Sequence, residues 1–413
     1  MPILGLRDTS NFVANQRPEN WRQGLLLLYP NSAEAAKAPL TALTSLMKNE
    51  VTDDPVYHWW EKSMQTRRLE SATALNNTDV AGTVVTLTVT AGAKGFKEGD
   101  VFMVEGTNEI LQCTEDPTAD TAIKLARGAA GSTIAAMNPA TAGVNPMLVC
   151  IGSAFEEGSL APTGVQFDPY ELFNQTQIFR STIEATRTAL KTRLRTPDAY
   201  KEAKRECLEV IGIDMERAFW FGRKHTTTKN GRPLRFTQGV RGLIPAANQL
   251  TATNGALDMD TLEEWMFKFF QKGASEKMAF GGNRALHAIN QCVRKNTDYH
   301  IEFNVMEYGM RVTRITTPFG ELVFKSHPLF TQMSGGVNGG TQYYGMESAM
   351  FVMDMTNIKY RYLTDSDLDF QKAMQVPGMD GLKEGYLAEC GMELPQAETH
   401  FYCANMYSGA KDA

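Results

Sequence analysis

The sequence predicts an α+β fold with a β-rich insertion, and three observations carry that reading. Helical and strand periodicities alternate along most of the chain. One stretch of about seventy residues, from Val80 to Ile151, turns abruptly to Gly, Ala, Thr and Val. Strands return after the last helix, between Arg311 and Leu363. With 413 residues, 43% hydrophobic and 21% charged, the chain is long enough for two or three packed units and lies outside the disordered range.

Residues 1–50 read as an arm: polar, Asn-rich stretches surround short apolar runs, and only 38–48 has helical spacing, through Leu40, Leu43, Leu46 and Met47. In the β-rich stretch, Val84 to Val89 favours strand, while Gly92, Gly95, Gly99, Gly106 and Asn108 punctuate it as turns. Residues 177–190 alternate as a further extended segment. The strongest helix spans 196–222, opened by Thr196 as N-cap with Pro197 in the first turn and closed by Gly222, with Cys207, Ile211, Met215, Ala218 and Phe219 on one stripe. A second helix is expected from Asp260, with Glu263 completing a capping box, to Gly273; it carries Leu262, Met266, Phe269 and Phe270 inward. A third is capped by Asn283. Strands then return at 311–315, 321–325, 349–354 and 359–363, with Pro318-Phe319-Gly320 as a hairpin turn, Gly335 to Gly340 as a flexible loop, and 386–403 as a last extended segment.

Charge and motifs narrow the function. The 41 basic and 47 acidic residues give a net charge of −6, against a main task of gripping nucleic-acid phosphates. The N-terminal ten residues lack the basic head and apolar core of a secretory signal, and the early run Leu25 to Tyr29 is too short to span a bilayer, so a soluble cytoplasmic product and no membrane partner are expected. Six scattered cysteines form no CxxC pair and read as free, mostly buried thiols. The motifs GxSxG, HExxH, a Walker loop and GxGxxG after a strand are absent, and the histidines His58, His225, His287, His300, His327 and His400 stand alone. No catalytic, cofactor or metal residues are therefore expected, although a constellation that meets only in the fold would escape such a search. Tyr57, Trp59 and Trp60 read as aromatic anchors on a neighbouring element or subunit rather than a sugar or base platform. Between Arg223 and Leu257 stand Arg223, Lys224, Lys229, Arg232, Arg235 and Arg241 with no Asp or Glu. The helix dipole accounts for Arg223 and Lys224. Arg232 and Arg235, in a loop, have three readings: solvation, contact with nucleic acid, and, preferred, bidentate pairing with carboxylates of a neighbouring subunit.

Several phrases in order resemble a family of tailed-phage major capsid proteins with the fold of phage and herpesvirus shells. They are Gly99-Asp100-Val101, Gly152 to Gly158, Asn174 to Arg180, Met215-Glu216-Arg217-Ala218, Thr317-Pro318-Phe319-Gly320, Lys359 to Leu363 and Glu389 to Glu393. The likeness runs from about residue 50 to 403, and order and spacing carry it. It implies an N-terminal arm (1–50); an extended loop with flanking strands (51–195) carrying a small inserted β domain at about 77–150; a peripheral domain (196–274) with the spine helix 196–222; an axial domain (275–375); and returning C-terminal strands (376–413). The function it implies is a structural subunit that self-assembles as hexamers and pentamers into an icosahedral virion capsid around double-stranded DNA, built in the host cytoplasm. Portal, scaffolding and decoration proteins are implied partners, and DNA would be touched only non-specifically. No enzyme activity and no cofactor are implied. Tyr57, Trp59, Trp60, Arg232 and Arg235 are the inter-subunit contact candidates. The alternatives are a tail or baseplate protein, or a hydrolase with a β accessory domain.

Overall fold

A computed structural model of the chain describes residue 43 and residues 46–406, except 73, 76, 137–145, 193–198, 253–256, 296–300, 308–309, 332, 334, 339–340 and 344. The chain divides into two compact units: the described part of Met1–Trp59 with Leu172–Ala413, and Trp60–Glu171. A two-stranded ribbon, Val56–Glu61 with Tyr170–Gln175, leads the chain out of the first and back. Most of the expected arm lies outside the described residues, as do Thr196 and Pro197; of the 38–48 helix, Leu43 and Leu46 are helical and Lys48–Thr52 is already a strand.

The first unit contains two larger sheets. In one, Lys48–Thr52 runs parallel to Lys359–Leu363, which pairs with Gly381–Glu393, which pairs along its other edge with Gln177–Thr186. Helix α1 (Ala199–Phe221) packs on this sheet through Cys207, Ile211, Met215 and Phe219, whose spacing at three to four residues makes one buried stripe. At ~1.5 Å per residue it is about 34 Å long. It ends where Gly222 donates its N–H to Ala218 O, a position where any Cβ would lie 2.4 Å from that same oxygen.

The other sheet has seven strands, in the order Gln249–Thr251, Phe401–Ala404, Met350–Met353, Glu276–Gly281, Gly320–Ser326, Met310–Thr317, Ile301–Glu307. Met350–Met353 is wholly buried because both faces are covered: Phe351 and Met353 join the core around α1, while Met350 and Val352 face α2 (Met259–Phe269) and α3 (Asn283–Lys295). Such a strand reads as a continuous apolar run rather than an alternation. The turn at Pro318-Phe319-Gly320 forms as expected, with Thr317 opposite Gly320.

Four expectations are corrected. The segment 177–190 is strand only to Thr186, whose side chain accepts from Ala189 N and starts a helical turn, Arg187–Lys191. Helix α2 is capped by Asp258 accepting from Met259 N rather than by Asp260, so the capping-box register does not form. It also packs into the core of the seven-stranded sheet, so the expected break at 275 divides one core. Finally, the glycine cluster 335–340 carries a hairpin, Gly336–Asn338 with Thr341–Tyr343.

The second unit is a six-stranded antiparallel sheet in the order Arg68–Glu70, Met147–Ser153, Asp100–Val104, Ile110–Cys113, Ala122–Ala126, Val84–Thr88. Ser71 bridges Val89, and Ala72 N and Thr90 N bond to Thr88 O and Glu70 O, so the last strand meets the first and the sheet closes into a barrel. Closure removes the open edges that would otherwise template aggregation. Its inside is Leu69, Leu87, Phe102, Val104, Leu111, Ile123, Leu125 and Leu148, alternating with exposed or half-buried neighbours. The barrel starts at Arg68, ahead of the expected 77, because a three-residue strand, Arg-Leu-Glu, shows no β composition.

Candidate assembly surface

Several polar groups buried in the first unit hold chain segments together. Glu216, buried on α1, accepts from Leu43 N (2.8 Å) and Trp220 Nε1 (3.0 Å), and lies 3.0 Å from His327 Nε2. Trp220 is ringed by Phe280, His327, Phe330 and Phe351 at 4.8–5.7 Å between centroids. Elsewhere, Lys277 donates to Lys272 O (2.8 Å) and Thr399 O (2.7 Å), and burial pushes its ammonium down to about 8. Asp354 accepts from Ala274 N, Thr356 N and Thr356 Oγ1. Lys277 and Asp354 both line a cleft of about 400 Å³ with Leu46, Met278, Val323, Ser275 and Thr356, but Lys277 is already bonded to backbone carbonyls and Asp354 to backbone N–H groups and the Thr356 hydroxyl. Among the described residues no group of three His, Cys, Asp or Glu side chains is placed to hold a metal, and all six cysteines are free, five of them buried.

His400 has a consequence for acid stability. Its Nδ1 accepts from Asp354 N at 3.1 Å and its Nε2 is buried without a partner, so a proton added at Nδ1 would face an N–H donor. Burial accordingly pushes the imidazole down from 6.5 to about 3. Between those values the unfolded chain holds a proton that the folded chain does not, so stability rises with pH across the window and is lost as pH falls from about 6.5 toward 3. The loss attributable to this group is on the order of 4 kcal/mol at the acid end. His400→Gln is expected to melt lower than wild type at pH 7 yet to show a shallower decline from pH 6.5 to pH 4; parallel melting curves across that range would contradict the assignment.

The surface chemistry is concentrated elsewhere. The basic stretch expected as a loop is a β-hairpin, His225–Lys229 with Arg232–Phe236. Its turn is Asn230-Gly231, both at positive φ (54° and 74°), the two-residue geometry that matches strand twist. That dipeptide was the signal in the sequence that would have identified it. The roots are clamped by buried Gln175, whose Nε2 donates to His225 O (2.7 Å) and Phe236 O (2.8 Å) while its Oε1 accepts from Thr226 Oγ1 (2.7 Å). Asn174 fixes the clamp, donating to Met392 O (2.7 Å) and Gln238 O (3.1 Å) and accepting from Gln175 N and Gln238 N.

The five contact candidates separate. Tyr57 is 5% and Trp59 8% exposed; Tyr57 donates to Met392 O at 2.8 Å, so both rings are occupied within the chain, whereas Trp60 is 64% exposed. Strand alternation accounts for the split: Tyr57 and Trp59 share a face and Trp60 takes the other. Lys224 does not serve the α1 terminus; its ammonium lies 3.5 Å from the Phe173 ring centroid and donates to Phe173 O. Arg232 and Arg235 have no carboxylate partner among the described residues, and, three apart on a strand, they lie on opposite faces. Arg232 is opposite Lys229, and Phe236 opposite His225, so one face combines Lys229 and Arg232 with Leu234 and Phe236, each 38% exposed.

Among the described residues, the buried polar groups named above serve the fold, and the hairpin and ribbon leave charge and apolar area at the surface. The family model described as SU10 major capsid protein matches residues 16–406. A major capsid protein of Pseudomonas phage PaMx41 is 25% identical over 339 residues, covering 79% of this chain and 75% of its own. Looser likenesses in shape are to a chain from Mycobacterium phage Bobi (9% identity, 96% of this chain and 97% of that one, TM-score 0.43) and to the capsid of a native GTA particle (9%, 96% and 96%, TM-score 0.42). The chain belongs to the SU10 major capsid protein family. It is a structural subunit of a phage capsid shell and not an enzyme, which sets aside the hydrolase and the tail or baseplate alternatives.

Proposed function

We propose that copies of this chain assemble as hexamers and pentamers into the icosahedral shell around the double-stranded DNA of a tailed phage, in the host cytoplasm. The observation that carries this is the family match, which spans both compact units rather than one motif. In this reading α1 is the spine of a peripheral region built on the five-stranded sheet, the seven-stranded sheet with α2 and α3 is the axial region, and the barrel is the insertion of an extended loop. Residues 1–50 act as an arm over a neighbour. Portal, scaffolding and decoration proteins are further partners, and DNA is contacted without sequence preference. Electron microscopy of the expressed protein tests the reading: closed shells or ring-shaped capsomers are expected, and a chain that stays monomeric at high concentration would overturn it.

Within that assembly, Trp60, Arg232 and Arg235 are contact residues, supported by the exposure of Trp60 and Arg232 and by the absence, among the described residues, of a carboxylate partner for either arginine, Arg235 being half-buried. Tyr57 and Trp59 act behind them by fixing the ribbon. The double variant Arg232→Glu with Arg235→Glu is expected to lose shell closure while the melting of the unassembled chain stays within about 0.5 kcal/mol of wild type, as for other surface changes. Normal shells carrying less DNA would transfer the two arginines to the nucleic-acid reading.

A further inference from the structure

Resting on the shell-subunit reading, we infer that the outer face of the 225–236 hairpin docks on residues 155–168 of a second copy of this chain, Lys229 and Arg232 meeting Glu156 and Glu157. The hairpin side has two cations at the tip and two aromatic or aliphatic side chains behind them, on one face, held rigidly at the roots by Gln175. A surface of that kind fits a segment with acidic residues beside apolar ones.

Residues 155–168 are such a segment. They form no strand or helix, and every residue from 151 to 170 is exposed except the half-buried Val165. Glu156, Glu157 and Asp168 have no cationic partner among the described residues, while other carboxylates of the same unit do: Glu105 with Arg68, Glu115 with Lys124, Asp79 and Glu109 with Arg127. Beside the free carboxylates stand Phe155, Leu160 and Phe167, Leu160 being 91% exposed. Exposed apolar side chains grouped in this way mark a contact site or an aggregation liability. Lys229 and Arg232 of the hairpin likewise have no carboxylate partner among the described residues, so the chain itself carries a complement to this segment.

A second copy is the occupant because the two surfaces are different patches of one chain. Such a heterologous contact repeats head to tail, and where the rotation closes it generates a ring, which is what a capsomer requires. Complementary charge sets the register and suppresses wrong pairings, while the apolar side chains supply area.

The test is a charge swap in the full chain, read by the yield of closed shells or rings and by the melting of the unassembled protein. Lys229→Glu with Arg232→Glu, and separately Glu156→Lys with Glu157→Lys, should each lower the assembled yield about tenfold or more by placing like charges in contact. Combining all four substitutions should restore assembly to near the wild-type yield, with melting unchanged throughout. If the hairpin variant fails to assemble and the swap does not rescue it, this partner is wrong while the shell-subunit reading stands on the wild-type particles. Rescue by reversing instead two other exposed carboxylates, Asp365 and Asp369, would place the hairpin there and overturn the inference. Unimpaired assembly of either two-residue variant overturns it as well.

Discussion

Replacing Trp220 by alanine is expected to cost about 4 kcal/mol of stability, with the midpoint of denaturant unfolding of the unassembled chain falling accordingly. The indole is fully buried on α1 and fills the space between Phe280, Phe330 and Phe351, and truncation of such a ring leaves a cavity that its rigid neighbours close only in part. The change also removes the Nε1 donor from the Glu216 carboxylate, a buried acceptor that serves Leu43 N at the same time. Against a domain stability of roughly 5–15 kcal/mol this is a large fraction. Trp220→Phe keeps most of the ring and loses the N–H, and should cost about 1–2 kcal/mol. An alanine variant that unfolds at the wild-type midpoint would show that the cluster does not hold α1 to the sheets.

Arg127→Met should destabilise the barrel by about 3–5 kcal/mol, because it strands a buried carboxylate. Arg127 and Glu109 are each 1% exposed and paired at 2.9 and 2.7 Å, and the guanidinium also donates to Asp79 at 2.8 Å and to Ala135 O at 2.6 Å. Glu109 Oε2 also accepts from Ala135 N, so the pair fixes the chain after the 122–126 strand. Removing both charges, as Arg127→Met with Glu109→Leu, should recover most of the loss, since matched apolar side chains avoid the desolvation of the pair. Hydrogen exchange on the full chain locates the effect: amides of the 100–104 and 122–126 strands should lose protection while those of α1 keep theirs. Equal loss in both units would mean that the barrel does not unfold on its own.

Much of this was legible in the sequence, and for one reason: periodicity and punctuation are local. The stripe of Cys207, Ile211, Met215 and Phe219, the glycine-marked β stretch, the Pro318 turn and the ordered phrases of the capsid family can all be read from neighbours a few residues apart. The basic hairpin was legible too, through Asn230-Gly231, and a strand reading would have separated Arg232 from Arg235 at once. Other features depend on pairs that only folding brings together. Leu43 N meets Glu216 across 173 positions, and Tyr57 meets Met392 across 335. Closure of the barrel rests on Ser71 opposite Val89, and the first barrel strand, Arg68–Glu70, has no intrinsic signature because its neighbour, Met147–Ser153, defines it. Which of Tyr57, Trp59 and Trp60 stays at the surface was likewise a tertiary decision. Alternation says that Trp60 opposes Tyr57 and Trp59, but which face is covered depends on what the rest of the chain packs against it.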